Sequence, residues 1–495
     1  MIMNVEASFC KMCEQFQAIL AKLEEAVQND MPIHEVEEQL VDDLRRLGRS
    51  AVESFIAQQG DGNIGETAER DGRRLKRLPE MLSGRYFSAF GPVPVEQYGY
   101  ATRPTQKIEL KPLAVKLALP ESDYSYVLQR WDGILSVNNS YAEVSKQLNE
   151  LLGLSQSTRS LTGIASNMAR HARAFQATQK APRPNTEAEL LIVTSDCKGV
   201  AMRRKPGEER SKKKRLGKGE KNGTKRMACV GGIYTVDRFH RSVDDVLDDI
   251  HRDGRRSDRP EPKNKRLRAN LTREVNNGRT LNAKDATFGW LRHEADQRNP
   301  HGEKTVVCIM DGETKLWNKQ RQMFPEAVGI LDIFHVMEHL WPCVYRFEAE
   351  NSPEAARLFG KQLRAILEGR IGRVIGAFRQ MAKKRKLTRD ALMKLEEHLG
   401  YFENNRQRMR YDEYLEQGYP IGSGVVEGAC RNLVKDRMER TGMRWCVAGA
   451  QAILDLRAVY LNDDWNAFHK LMIRREQKRL YPNRNRTLKP SQLAN

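Results

Sequence analysis

The spacing of apolar residues predicts helices at the start of the chain and then a small β element. Apolar side chains recur at helical intervals over residues 5–59, and they predict two amphipathic helices that separate at Asp30-Met31-Pro32. Residues 84–118 instead place aromatic and valine side chains among glycine and proline, which is typical of short strands. We therefore predict a helical hairpin over residues 1–60 and a small β-containing module over residues 61–120.

Residues 121–180 fit a helix-turn-helix. The helical spacing of Tyr141–Leu152 stops at a glycine, and residues 155–158 can cap a second helix. Arg159 and Arg170 on this second helix are suited to contact DNA. An ordinary helical hairpin has the same pattern, so both interpretations stay open.

Beyond Pro184 the pattern changes from helical to extended. Four short apolar runs predict buried strands over residues 190–194, 227–236, 306–310 and 328–331. Helical spacing follows the last two runs, so this part of the chain is predicted to be α/β. The stretch from about 334 to 415 is almost entirely helical in pattern, and another helix is predicted after Gly422-Ser423-Gly424.

Charge indicates a nucleic-acid partner. The 495 residues include 84 Lys and Arg against 65 Asp and Glu, a net charge of +19. Nucleic acid is the commonest polyanion that such a field attracts in a cytoplasm. Two basic runs, Arg203–Arg226 and His251–Arg268, are predicted to be solvated loops beside the strand ends, where they can meet phosphates. The phosphate contacts expected from the first run are Lys212, Lys213, Lys214 and Arg215.

The sequence argues against membrane and secreted classes. It has no run of about 18 apolar residues and no signal-peptide pattern at its start. Eight cysteines are too sparse for a disulfide framework, so we expect a cytoplasmic protein. Because nucleic acid is the expected partner, we expect it to be associated with the nucleoid. Cys10 and Cys13 lack the second pair that a closed zinc site needs, and we expect them to pack on a helix face.

Two aspartates are candidates for a metal site. Asp196 and Asp311 each follow a predicted strand and precede a glycine-containing turn. Sites of α/β folds lie at the carboxyl ends of their strands, and carboxylate oxygens are ligands that Mg²⁺ prefers. Each aspartate alone could be an ordinary turn residue, but two of them in so basic a chain indicate a shared metal.

Glu427 is the best candidate for a third carboxylate. Ser423 can cap the helix that carries it, and Arg431 and Lys435 follow at helical intervals of four on the same face. One carboxylate for a metal and two cations for phosphate would form a coherent surface. An exposed glutamate with ordinary ion pairs is the alternative.

Four segments together resemble a known family. They are VTSDCKGVAMR around Asp196, VVCIMDGETKLW around Asp311, LDIFHVMEHLW from Leu331, and YPIGSGVVEGACRNLVKDRMERTGMRW from Tyr419. In order and spacing they resemble bacterial insertion-sequence transposases of the DDE class, of the ISKra type, over roughly residues 120–470. The resemblance implies a multidomain α/β protein whose ribonuclease-H-like catalytic core follows helical and helix-turn-helix segments. That core would comprise residues 185–340 and 416–465, with a helical insertion over 341–415 and a basic tail over 466–495.

The resemblance also implies a chemistry. Asp196, Asp311 and Glu427 would form the catalytic, metal-binding triad, with Mg²⁺ or Mn²⁺ as the cofactor, and Asp332 and His335 would form an accessory motif. The protein would bind terminal inverted repeats and target DNA as a homo-oligomer of at least two protomers, and would cut and join DNA strands. Further DNA contacts are expected from Lys198, Arg431, Lys435 and Arg444.

Three other functions remain open at this stage. The chain could be a non-catalytic, sequence-specific DNA-binding protein or a related nuclease without strand transfer. It could also be a zinc metalloprotease, because His335, Glu338 and His339 match the HxxEH pattern. For His339 we favour a packing role, and for Trp445 we favour a hydrophobic anchor over stacking on a base.

Overall fold

The computed structural model describes residues 2–70, 72–103, 106–204, 225–251, 259–275, 278–482 and 484. The chain forms two compact units, residues 1–175 with 464–495 and residues 176–463. No helix in the described ranges combines the length and the apolarity needed to cross a bilayer. The predicted contacts Lys212, Lys213, Lys214 and Arg215 lie outside the described residues, as do residues 485–495 of the predicted tail.

The first unit begins with the predicted helical hairpin. Its helices are α1 (Ile2–Gln28) and α2 (Ile33–Ala57), and Asp30 takes the left-handed conformation between them, with φ at 47°. The packing role predicted for Cys10 and Cys13 is wrong, because both side chains are exposed on α1.

Short strands follow, as the sequence predicts. They are β1 (Thr67–Arg70), β2 (Arg73–Arg77), β3 (Leu82–Ser88), β4 (Gly91–Gln97) and β5 (Tyr100–Ala101). Strands β1, β2 and β5 form one antiparallel sheet, and β3 and β4 form a hairpin. Side chains alternate between buried and exposed along β4, and its Val93 and Val95 pack against Ile56 of α2. The period of two therefore gives this module its own small core.

The remaining helices of this unit are α3 (Pro112–Leu117), α4 (Tyr126–Asn138), α5 (Tyr141–Leu152), α6 (Thr158–Ala177) and α18 (Trp465–Leu480). The predicted bounds of α5 and the predicted start of α6 are confirmed. Gly153 ends α5 in the left-handed conformation, with φ at 60°, and the Ser157 hydroxyl accepts a hydrogen bond from the Ser160 amide at the start of α6.

The second unit is built on a mixed sheet. Its strands are β6 (Leu190–Ala201), β7 (Lys225–Val236), β8 (Lys263–Leu271), β9 (Arg273–Val275), β10 (Arg279–Leu281), β11 (Thr305–Met310) and β12 (Val328–Leu331). Five of them form a sheet in the order β12-β11-β6-β7-β8, while β9 and β10 form a separate hairpin. Strands β12, β11 and β6 are parallel, and β7 is antiparallel to both β6 and β8. The four predicted strands are all present.

Two predictions about loops are wrong. The first concerns Asp196, which does not end its strand: β6 continues because β7 pairs with it as far as Ala201, opposite Lys225. The segment Cys197-Lys198-Gly199 is therefore strand and not turn. Parallel pairing of β6 with β11 does stop at Ser195, one residue before Asp196.

The second concerns the basic run His251–Arg268. Its last residues, 263–268, form the first part of β8 and are not a loop. Leu267 and Leu271 point to the core at a period of two, between charged side chains that dominate the local composition. Arg268 does not extend into solvent as a loop residue would, because its guanidinium lies over the Trp290 ring, 4.7 Å from the centroid.

Helices cover this sheet. They are α7 (Val243–His251), α8 (Ala283–Arg298), α9 (Thr314–Met323), α10 (Ile333–Val344), α11 (Pro353–Leu367), α12 (Ile371–Lys384), α13 (Arg389–Asn405), α14 (Tyr411–Glu416), α15 (Gly424–Ala429), α16 (Asp436–Met438) and α17 (Val447–Leu461). A π-helical segment, Cys430–Lys435, joins α15 to α16. The helical stretch predicted from 334 to 415 is confirmed, and its apolar side chains share one core with the sheet.

Candidate metal centre

Three aspartates occupy matching positions at one edge of the sheet. Ser195 of β6 is in register with Met310 of β11, and Met310 is in register with Leu331 of β12. The next residue on each chain segment is Asp196, Asp311 or Asp332. Because residues in register on neighbouring parallel strands lie side by side, Asp196, Asp311 and Asp332 are neighbours at this edge of the sheet. The Asp332 amide still donates to the Met310 carbonyl, at 3.0 Å, which keeps this edge in register.

Asp332 joins the edge of the sheet to the helix that carries Glu427. One carboxylate oxygen of Asp332 caps α10 by accepting from the Phe334 amide at 2.9 Å, and the other accepts from the Ser423 hydroxyl. The Ser423 carbonyl in turn accepts from the Glu427 amide, at 3.1 Å, as α15 begins. Ser423 therefore lies where we predicted a cap, but its hydroxyl binds Asp332. This contact fixes the start of α15 against the start of α10.

Asp332, His335 and Glu427 form a compact group that could hold a metal ion. Each offers one ligand atom, and these atoms all lie within 4.8 Å of one another. The predicted triad shares Glu427 with this group. Asp196 and Asp311 lie outside the group, and the two residues expected as an accessory motif lie inside it.

Electrostatic interactions connect the compact group with Asp196 and Asp311, which lie outside it. Burial raises the pKa of Asp311, and the charge of Asp196 raises it further, while the hydrogen bond from the Glu313 amide acts in the opposite direction. Burial also raises the pKa of Glu427, with added contributions from Asp332 and Asp196. Carboxylates that raise each other's pKa in this way are common at functional sites, where a bound cation can neutralise their charge.

His335 has a raised pKa for the complementary reason. Burial disfavours the imidazolium, but the carboxylates of Asp332, Glu338 and Asp311 outweigh burial and raise the pKa of His335. Its Nδ1 lies 3.2 Å from Glu338 Oε2 on the next turn of α10. A raised pKa favours the imidazolium form, which attracts anionic groups at this edge of the sheet.

Tyr401 of α13 packs over the turn that follows Asp311. A Cβ atom added at Gly312 would overlap the Tyr401 ring, so the ring and this turn fit only because residue 312 is glycine. Burial raises the pKa of Tyr401, and the charge of Asp311 adds to that effect. No local sequence pattern predicts this contact, because Tyr401 lies on α13 and Gly312 lies in the turn after β11, almost ninety positions earlier in the chain.

We expect Gly312→Ala to displace the Tyr401 ring or the Asp311 turn. Such overpacking costs about 1–3 kcal/mol of unfolding free energy, and it should also weaken Mn²⁺ binding measured by calorimetry. Gly400→Ala is the matched control, because a Cβ there meets nothing within 4 Å on α13, beside Tyr401. That substitution should leave metal binding unchanged and should stabilise the helix slightly. Equal metal affinities for the two variants would show that Tyr401 does not position Asp311.

The helix after Glu427 is not the continuous α-helix on which the predicted stripe of cations depended. It becomes π-helical over Cys430–Lys435, which changes the angular spacing beyond Glu427. Arg457 of α17 donates to the carbonyls of Leu433, at 3.1 Å, and Asn432, which this segment presents to it. Arg431 and Lys435 are both exposed.

The second histidine of the HxxEH pattern lies in a different environment from the first. His339 stacks on Tyr401, with ring centroids 3.7 Å apart, and its Nδ1 lies 2.9 Å from Nδ1 of His398. Burial and the neighbouring His398 lower the pKa of His339 to about 4. Among the described residues, the metal-competent group joins His335 to Asp332 and Glu427 and does not include His339. This geometry favours the packing role for His339.

The described DNA-contact candidates have accessible side chains, with one exception. Arg159 and Arg170 are exposed on α6, and Arg444 is exposed before α17. Lys198 is half-buried in β6, two residues from Asp196 and hence on the same face of the strand. Trp445 is a buried anchor, as we favoured, because its indole N–H donates to the Met438 carbonyl at 3.1 Å.

Comparison with known proteins does not supply a family for this arrangement. Neither the protein-family models nor the curated proteins contain a match to the chain.

Proposed function

We propose that the chain is a DDE-class DNA transposase with a ribonuclease-H-like catalytic domain. The observation that supports the proposal most strongly is the convergence of Asp196, Asp311 and Asp332 at one edge of the sheet, with Glu427 tied to the same edge through Ser423. A ribonuclease-H-like core requires a mixed sheet that brings carboxylates from neighbouring strands together, and the order β12-β11-β6-β7-β8 has that property.

The residues present fit a divalent cation. Asp196, Asp311 and Glu427 supply oxygens, which suit Mg²⁺ or Mn²⁺, whereas the imidazole of His335 suits softer metals. We therefore assign the cation to the three carboxylates and regard His335, whose Nδ1 lies 3.2 Å from Glu338 Oε2, as a neighbour of the site. When bound, such cations activate the attacking oxygen and stabilise the leaving oxygen in phosphodiester cleavage and strand transfer.

The other residues of the site position these groups. Asp332 is fully buried with both oxygens hydrogen-bonded, so its task is to hold α10 and α15 together at the edge of the sheet. Tyr401 covers the turn at Asp311. Lys198, on the Asp196 face of β6, is placed to contact a DNA phosphate beside the carboxylates.

We assign recognition of the terminal inverted repeats to α6. Its buried face contains Leu161, Ile164 and Met168, which leaves Arg159 and Arg170 on exposed positions of the same helix. A helix with one face in the core and a basic face in solvent is the arrangement that reads a DNA groove. Arg431, Lys435 and Arg444 would add phosphate contacts in the catalytic unit.

A metal-dependent cleavage assay tests the proposal. The substrate is supercoiled plasmid that carries the DNA flanking the coding sequence, with Mg²⁺ or Mn²⁺. We expect the wild-type chain to cut and join this DNA and Asp311→Asn to lose more than about 100-fold in rate, because even outer-shell changes cost 10–100-fold at metal sites. Binding of DNA by the variant should persist. Cutting without joined products would indicate a nuclease, and binding without cutting by the wild type would indicate a DNA-binding protein.

Glu338→Gln separates the transposase from the metalloprotease. In an HxxEH protease this glutamate activates the attacking water, so its loss would abolish activity. In the proposed transposase Glu338 is an exposed neighbour of His335, and we expect DNA cleavage to fall by less than about 5-fold. Zinc-dependent proteolysis by the wild type that disappears in this variant would overturn the proposal.

A further inference from the structure

The N-terminal hairpin exposes an unusual share of large apolar side chains. Of the sixteen that the described residues leave exposed, eight lie on α1 and α2, each between 39% and 78% exposed. They are Phe9, Phe16, Leu20, Val27, Ile33, Val41, Leu44 and Phe55. Scattered apolar residues are normal on a surface, but a concentration of this kind on two helices marks a contact site.

On α1 these side chains form one stripe. At about 100° per residue, Phe9, Phe16, Leu20 and Val27 fall within about 40° of one another around the helix axis. The buried residues Ile19 and Ala26, which face α2, lie about 100° away around the axis. The intervals of seven, four and seven residues are those of a heptad seam, so α1 has one apolar face for α2 and a second one whose side chains are exposed.

Helix α2 repeats this arrangement, with one difference: the Phe90 ring packs against Gly48, which lies in the same sector of α2. Ile33, Val41, Leu44 and Phe55 fall within about 80° of one another, and this sector is also about 100° from the face that contacts α1. Glu37 falls in the same sector and lies about one turn from the tip of the hairpin.

The two stripes lie on the same side of the hairpin. Viewed along the direction of the chain, the stripe on each helix is rotated in the same sense from the face that contacts the other helix. A twofold axis perpendicular to the plane of an antiparallel pair exchanges the two helices and leaves each side of that plane in place. Equal offsets therefore direct both stripes to one side, where they form a single face that we call the hairpin face.

The area of this face matches a dimer contact. Eight side chains that are each about half exposed offer about 800 Å² per protomer, which is the contribution of one partner to a stable interface. The face is also suited to pair with itself, since a twofold axis lays the same two stripes against each other.

We infer that the hairpin face binds the hairpin face of a second copy of the chain, so that α1 and α2 of two protomers form a four-helix bundle. Short-looped antiparallel helices with heptad seams are the usual components of such bundles. The inference does not rest on the proposed DNA chemistry, because self-association is measured without DNA.

The test compares two double variants of the full chain by light scattering after size-exclusion chromatography. Phe16→Glu with Leu20→Glu adds two charges to the hairpin face, whereas Ala18→Glu with Ala21→Glu adds two charges to exposed positions of α1 away from it. At tens of micromolar we expect the wild type and the control to have twice the mass of one chain. The face variant should have the mass of one chain, with an unchanged circular dichroism spectrum.

Two results would overturn the inference. One is a wild-type chain that is monomeric at these concentrations, which would leave the hairpin face for a different partner. The other is a folded face variant that remains dimeric, which would place the dimer contact elsewhere. If the face variant lost helical content, Leu44→Glu alone would repeat the test on α2, at an exposed position outside the contact with α1.

Discussion

Glu427→Gln should abolish DNA cleavage while leaving the fold and DNA binding intact. Glutamine keeps the size of the side chain, and the contacts that start α15 involve the Glu427 amide and the Ser423 hydroxyl, which the substitution does not alter. The substitution replaces a charged carboxylate, the kind of ligand that Mg²⁺ prefers, by a neutral amide. We expect a fall of more than about 100-fold in the cleavage rate and a matching loss of Mn²⁺ affinity by calorimetry.

Glu439→Gln is the matched control for this variant. Glu439 lies in the same C-terminal segment and pairs with Lys225 at 3.4 Å, and it does not belong to the metal-competent group. We expect its cleavage rate and metal affinity to equal those of the wild type. Gel shifts should show unchanged DNA binding for both variants, since Arg431 and Lys435 remain exposed. Robust cleavage by Glu427→Gln would exclude Glu427 from the active site and would reopen the search for a third carboxylate.

The strands that carry the site could be predicted because their signal is local. Runs such as residues 190–194 and 306–310 are continuous and apolar, and an aspartate directly follows each parallel pairing. Strand β8 was missed for an equally local reason. Its inward residues Leu267, Ala269 and Leu271 alternate with polar ones. The long side chains of Arg266 and Arg268 lie against Glu294 and Trp290, which permits a strand where composition suggests a loop.

The details of the site depend on contacts that no local pattern encodes. A serine before a helix predicts a cap, but the Ser423 hydroxyl binds Asp332, 91 residues away in the chain. Tyr401 reaches the Asp311 turn from α13, which lies about ninety residues later in the chain. The π-helical segment has no sequence period of its own. Each of these features requires the fold to be known first.

The carboxylate of Asp132 is predicted to make the first unit sensitive to pH. Asp132 lies on α4 and is 1% exposed, and one of its oxygens accepts from Gln156 Nε2 at 2.9 Å. The other oxygen and Gln156 Oε1 are buried without a hydrogen-bond partner among the described residues. Burial raises the pKa of Asp132 to about 7, although the hydrogen bond from Gln156 acts in the opposite direction. The protonated acid therefore fits this place better than the carboxylate.

The sign of the effect follows from the proton balance. Between about pH 4 and pH 7 the folded chain keeps a proton on Asp132 that the unfolded chain releases, so the free energy of unfolding falls as the pH rises. The difference of about three units corresponds to a loss on the order of 3–4 kcal/mol by pH 8, and to almost none at pH 4.

Asp132→Asn should remove this loss. The amide keeps the shape of the side chain, cannot ionise, and supplies an N–H donor for the carbonyl oxygen of Gln156. We expect the variant to be more stable than the wild type by about 3 kcal/mol at pH 8 and by much less at pH 5. The measurement is the urea dependence of hydrogen exchange in α4 at both values, with the exposed Asp123→Asn as the control. An equal gain at both pH values, or none at pH 8, would mean that Asp132 ionises in the folded chain without cost.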